Sequence, residues 1–133
     1  MIALIPSQAH AAEHHHASSA DRPSTGKDWY CTDNANDYAA GCFAPEGDWF
    51  LLDDKRADGY SVVVSWQLYN AFDVMQRSGF IWYSEGEGAG YGYENMDFYE
   101  GYGWYVHFKA CRGNHSTHDV HLSTCSDWRD VGV

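Results

Sequence analysis

Residues 60–69 (YSVVVSWQLY) change character with a period of two, and this run constrains the fold more than any other feature of the chain. Tyr60, Val62, Val64, Trp66 and Leu68 share one phase, whereas Ser61, Val63, Ser65, Gln67 and Tyr69 share the other. Strand side chains point to opposite faces in turn, so the first set reads as core and the second as mostly outward. Trp104, Val106, Phe108 and Ala110 repeat the rule against Tyr105, His107, Lys109 and Cys111. Val120, Leu122 and Thr124 do the same against His121, Ser123 and Cys125. In both later segments the cysteine falls in the outward phase.

An apolar run at 48–53 and the Asp58-Gly59 turn before Tyr60 predict a hairpin between 48–53 and 60–69. Residues 79–83 read as a weaker strand, and 69–77 as one or two helical turns. Residues 84–103 read as a long glycine-rich connection, the first place to look for binding. Several short strands with no helices between them predict an all-β chain: a small antiparallel β-sandwich, or a partly open barrel.

The first quarter of the chain lacks such patterning. Residues 1–11 are apolar and then alanine-rich, with Ala9-His10-Ala11 resembling a signal-peptidase site. They read as the remnant of a secretory signal whose true start lies upstream. Residues 12–27 are small, polar and rich in His and Ser, which predicts a disordered leader. The β domain is then 28–133.

The cysteines are Cys31, Cys42, Cys111 and Cys125, with no Cys-x-x-Cys to hold zinc. Three pairings are open to them, and Cys31–Cys42 with Cys111–Cys125 is expected because each closes a short loop. Disulfides persist in oxidising compartments, so their use implies a secreted, extracellular protein. A net charge of −11 argues against nucleic acid and anionic membrane surfaces as partners. No stretch approaches the roughly 18 apolar residues of a membrane span. The expected state is a monomer that uses no cofactor.

Cys42-Phe43-Ala44-Pro45-Glu46-Gly47-Asp48, then 53–61 (DDKRADGYS) and Trp66, resemble a family of small secreted, disulfide-bonded β proteins of actinobacteria. Gly88-Ala89-Gly90, Glu100-Gly101 and 106–111 (VHFKAC) are similar to that family's second half. Relatives often carry a further cysteine pair flanking the Gly-Ala-Gly segment, which this chain lacks. The resemblance implies export and β structure; the family, uncharacterised in activity, implies no catalytic residue.

Candidate sites follow from side-chain chemistry. The chain has six Trp, ten Tyr and six Phe, and rings left outside a one-sided core bind carbohydrate by stacking. Tyr83, Tyr91, Tyr93 and Tyr105 are the candidate ligand-binding residues, the ligand being an extracellular glycan or protein. Glu85, Glu87, Glu94, Asp97 and Glu100 offer the carboxylate pair of a glycan-active hydrolase. Cleavage after Ala11 would leave Ala12-Glu13-His14, an amine, two amides and an imidazole suited to Cu(II) or Ni(II). His107, His115, His118 and His121 bind metal only if residues 112–119 fold back, and Asp53, Asp54 and Asp58 lack the EF-hand spacing for calcium. The reading these weigh out to is a secreted, non-catalytic binding or envelope-associated module.

Overall fold

The alternating run becomes the central strand of the larger of two sheets, because both of its faces are covered. The computed structural model describes residues 11–32, 38–56, 58–85 and 90–133. The strands are β1 Glu13–His16, β2 Tyr30–Cys31, β3 Ala39–Ala44, β4 Trp49–Asp54, β5 Ser61–Tyr69, β6 Met75–Tyr83, β7 Gly90–Asn95, β8 Tyr105–Asn114, β9 Asp119–His121 and β10 Arg129–Gly132. The larger sheet has the order β1-β6-β5-β8-β10, with β9 also on β8; the smaller has the order β2-β3-β4-β7. Every pairing is antiparallel except that of β1 with β6.

The fold is an all-β sandwich, as the alternation predicts. Phe43, Phe50 and Leu52 of the smaller sheet meet Val62, Val64, Trp66, Leu68, Ile81, Val106 and Phe108 of the larger in one buried core. Phe50 sits edge-on to Phe108 at 5.5 Å, and Trp66 lies 5.3 Å from Phe98. Fully buried Trp and Phe rings at such centroid distances add specific geometry to the area they remove from water.

The outward phase of β5 is covered as well. Val63, Trp82 and Cys111 form a second, smaller cluster with Phe80, Val120 and Cys125 against it. The disulfides are Cys31–Cys42 and Cys111–Cys125, the expected pairs. The late sulfur does lie opposite the main core, but it is buried there rather than exposed.

Five expectations change. The 48–53 and 60–69 strands are not a hairpin: β4 belongs to the smaller sheet and β5 to the larger. The connecting residues carry the chain across the roughly 10 Å between layers. Residues 69–77 form no helix; a reversal at 70–74 joins β5 to β6, with the Asn70 side-chain oxygen accepting from the Phe72 and Val74 amides at 2.9 and 3.0 Å. The long connection 84–103 contains β7, paired with β4. Strand β9 stops at His121, and a 3-10 turn, Leu122–Thr124, replaces the rest of that strand. Thr124 Oγ1 accepts from the Arg112 amide at 2.8 Å and donates to the His121 carbonyl at 2.6 Å, which holds this turn shut.

The fifth change concerns the leader. Residues 13–16 form β1, and a 3-10 turn, Ser19–Asp21, follows, so the folded unit begins well before residue 28. Composition hides this strand because its histidines are not apolar, yet they alternate faces once paired to β6. Residues 1–10 lie outside the described residues, and with them nearly all of the signal remnant.

Asp48 opens β4 in the left-handed region at φ 57°, and it is buried. Its Oδ2 accepts from the Phe98 amide at 2.9 Å, whereas Oδ1 has no partner among the described residues. Burial, with Glu100 and Asp97 adding repulsion, pushes its carboxyl from 3.8 up to about 6. The folded state therefore holds this proton more tightly than the unfolded chain. The contribution to stability is complete below pH 3.8 and is lost as pH rises through about 6. Asp48→Asn keeps a residue tolerant of positive φ and removes the charge. It is expected to raise stability at neutral pH by about 1–2 kcal/mol and to flatten the acid side of the profile, read by urea melts across that range.

Candidate functional site

The outer face of the smaller sheet carries an open cleft. Register pairs Leu51 with Tyr93 and Asp53 with Tyr91, and alternation turns these residues away from Phe50 and Leu52 in the core. The chain after β1 runs over this face: Ser18 bridges to Tyr93 through paired backbone hydrogen bonds of 3.1 and 3.0 Å. Residues 22–29 then form the opposite wall.

The cleft has a volume of about 450 Å³ and is lined by Arg22, Pro23, Ser24, Thr25, Gly26, Lys27, Trp29, Leu51, Tyr91 and Tyr93. That size falls within the range of small-ligand sites, roughly 300–1,000 Å³. Trp29 and Tyr93 rings lie 6.2 Å apart, and the Arg22 guanidinium sits 5.7 Å over Tyr93. Tyr91 is half exposed, at 51 %, whereas Tyr93 is buried, at 8 %, so Tyr91 and the half-buried Trp29 carry the open aromatic surface. The Lys27 ammonium lies 3.7 Å from the exposed Glu46 carboxylate. A second recess of about 410 Å³, lined by Asp21, Arg22, Trp49, Glu94 and Asn95, shares Arg22 with the first. Burial pushes the Glu94 carboxyl up, opposed by His15 at 3.5 Å.

Of the four candidate tyrosines, two meet here. Tyr91 and Tyr93 line the cleft; Tyr83 and Tyr105 do not. Tyr83 is 5 % exposed and belongs to the core, its ring packed where a Cβ on Gly92 would stand only 2.4 Å from it. It is therefore not available to a ligand. Tyr105 lies on the larger sheet, stacked on Tyr69 at 5.2 Å and donating its hydroxyl to Asp73 at 2.9 Å. Sequence reasoning missed Arg22 and Lys27, which it assigned to the leader 12–27, and it placed Trp29 in the β domain without naming it as a ligand-binding residue. The adjacent Trp29-Tyr30 pair was the available signal, since neighbouring rings on an extended chain face opposite ways.

The other candidate sets are dispersed. The Glu85 carboxylate accepts from the Ser19 amide at 3.1 Å, Glu94 faces His15, and Asp97 and Glu100 act on Asp48; Glu87 lies outside the described residues. Asp54 accepts from the Arg56 amide at 3.0 Å, and Asp58 pairs with Arg112 at 3.2 Å. His14 is held in paired, extended β1, whereas the terminal copper arrangement needs the backbone to wrap around the ion. Among the described residues no group of three or more His, Cys, Asp or Glu side chains is placed to hold a metal ion. Residues 112–119 do fold back, but they bring His115 and His118 beside β1, while His107 stacks on Trp128 at 4.1 Å and His121 packs on Tyr60 at 5.0 Å.

Fold and cleft together define a disulfide-bonded β-sandwich with an aromatic, cation-bearing groove on one outer face. Comparison of the chain with protein-family models, with curated proteins and with solved structures finds no match.

Proposed function

We propose that this chain is a secreted, non-catalytic β domain that binds an extracellular glycan in the cleft between residues 22–29 and the outer face of β4 and β7. The carrying observation is the convergence of Trp29 and Tyr91, backed by the buried Tyr93, with Arg22 and Lys27. Sugar rings stack their C–H faces on such aromatics, while guanidinium, ammonium and hydroxyl groups orient their oxygens. The two cations stand out on a chain that has only eight Lys and Arg against nineteen Asp and Glu. They favour glycans that bear carboxylates, such as uronic acid polymers, over neutral ones. Two disulfides suit an oxidising environment, and no described helix is long and apolar enough to cross a membrane. Membership in the small secreted actinobacterial family is part of the same proposal. The test is titration of tryptophan fluorescence against neutral and uronate-bearing oligosaccharides; saturable quenching by the acidic series is expected, and no response to either series would remove the glycan reading.

A further inference from the structure

The wall of the cleft is the continuation of β1, so whatever holds β1 to the sheet also shapes the groove. One face of β1 is tied by an ion pair: Glu13 accepts from Arg77 Nε and Nη2, each at 2.8 Å. His15 lies on that face, 3.0 Å from Glu13 and 3.5 Å from Glu94. On the other face, His14 and His16 of β1 meet His115 and His118 over Phe80 and Trp82 of β6. His14 stacks on His118 at 4.0 Å and on Phe80 at 5.5 Å, and its Nδ1 accepts from the Trp82 indole N–H at 3.3 Å. His16 meets His115 edge-on at 4.5 Å, and both His115 and His118 lie 5.7 Å from Trp82.

We propose that His14, His16, His115 and His118 form an acid-released clasp that fastens the N-terminal strap, and with it the cleft, only while the four rings are neutral. The regulatory part of this proposal rests on the cleft being the binding site; the clasp itself does not.

The bonding explains the sign. An Nδ1 that accepts a hydrogen bond carries no proton, and adding one sets a donor against the Trp82 N–H. Stacked and edge-on imidazoles become like charges when protonated. From the elements packed on this cluster, β6 presents Phe80 and Trp82, which are uncharged. Strand β9 begins with the nearby carboxylate of Asp119, which faces His121 at 3.8 Å instead. His14 stays exposed on β1, yet partial desolvation first, and then the neighbouring histidines, lower the affinity of His14 and His115 for a proton below the ordinary value of 6.5. A released strap binds those protons more readily than a docked one. Docking is therefore complete above pH 6.5 and is lost as pH falls through and below it. Glu13 stays ionised throughout, because Arg77 holds its carboxyl at about 2. Glu94 works the other way, since burial favours its protonated form in the folded state.

Hydrogen exchange of the oxidised full chain, corrected for intrinsic rates, tests the clasp at about pH 7.5 and about pH 5. Protection of residues 13–18 is expected to fall roughly 10- to 100-fold in acid, while 61–69 stays protected. The His115→Phe/His118→Phe variant, which keeps ring contacts without charge, is expected to lose most of that difference. Gly79→Ala offers a pH-independent control, because its Cβ would lie 2.5 Å from the Glu13 carbonyl and push β1 away. Unchanged protection of 13–18 in the wild-type chain overturns the clasp, as does a phenylalanine variant that keeps the full pH response. If the strap opens and glycan affinity at about pH 5 equals that at about pH 7.5, the clasp stands and the coupling to the cleft falls. No glycan binding at either pH leaves the clasp standing and removes the cleft reading instead.

Discussion

Reduction of both disulfides is expected to unfold this domain without denaturant. The bonds span 11 and 14 residues, and loops of that size contribute about 3 kcal/mol each by limiting the unfolded chain. Their sum, about 6 kcal/mol, matches the lower end of the stability of small domains, about 5–15 kcal/mol. The two bonds are not equivalent. Cys111 is fully buried with Val63 and Trp82, and it anchors the chain following β9. Cys31–Cys42 ties the two-residue strand β2 to β3, just beyond Trp29. Cys111→Ala/Cys125→Ala is thus expected to lower stability by about 3–4 kcal/mol, and Cys31→Ala/Cys42→Ala by about 2–3 kcal/mol with loosening of the cleft wall. Urea melts followed by near-ultraviolet circular dichroism, with and without reductant, measure both. A midpoint indifferent to reductant would show that the sandwich core suffices.

The second large effect is on binding. Trp29→Ala removes one aromatic wall of the cleft while leaving β2 and its disulfide in place. Loss of one ring stack of about 1–2 kcal/mol corresponds to roughly a 10-fold weaker affinity for the glycan. Tyr91→Ala acts on the opposite wall, and the double variant is expected to fall below detection. Arg22→Gln should weaken uronate-bearing ligands selectively and make the remaining affinity less sensitive to salt. Tyr105→Ala, on the other sheet, is the control and should bind as the parent does. Equal affinity of the Trp29→Ala and parent proteins would place any glycan site elsewhere.

Much of the fold was legible because strands write their faces into the sequence. The even-phase residues 62, 64, 66 and 68 are all buried in the main core, and so are 106, 108 and 110, whereas Tyr60 is exposed and Trp104 only partly buried. Periodicity says which way a side chain points but not which strand lies beside it. The β4–β5 connection looked like a hairpin for that reason: a turn sequence fits equally well where the chain crosses between layers. Burial of Val63 on the outward face was invisible too, since its cover arrives from residues 80–82 and 120–125, far along the chain. Half of the site was legible. Tyr91 and Tyr93 were singled out by exposure chemistry, but their opposing wall came from residues whose composition resembles disorder. Polar residues order when a neighbouring sheet supplies backbone partners, and composition carries no record of that neighbour.

Both margins of the larger sheet are closed by short pieces, the four-residue β1 on one side and the four-residue β10 with the three-residue β9 on the other. Neither is long or greasy; the first is Glu-His-His-His and the second contains Arg129 and Asp130. Short, charged borders offer a poor template to a neighbouring molecule. The guard on the β1 side is removable. Where it lifts, the backbone of 79–82, with Phe80 and Trp82 along it, becomes a free border on which a second copy can add a strand.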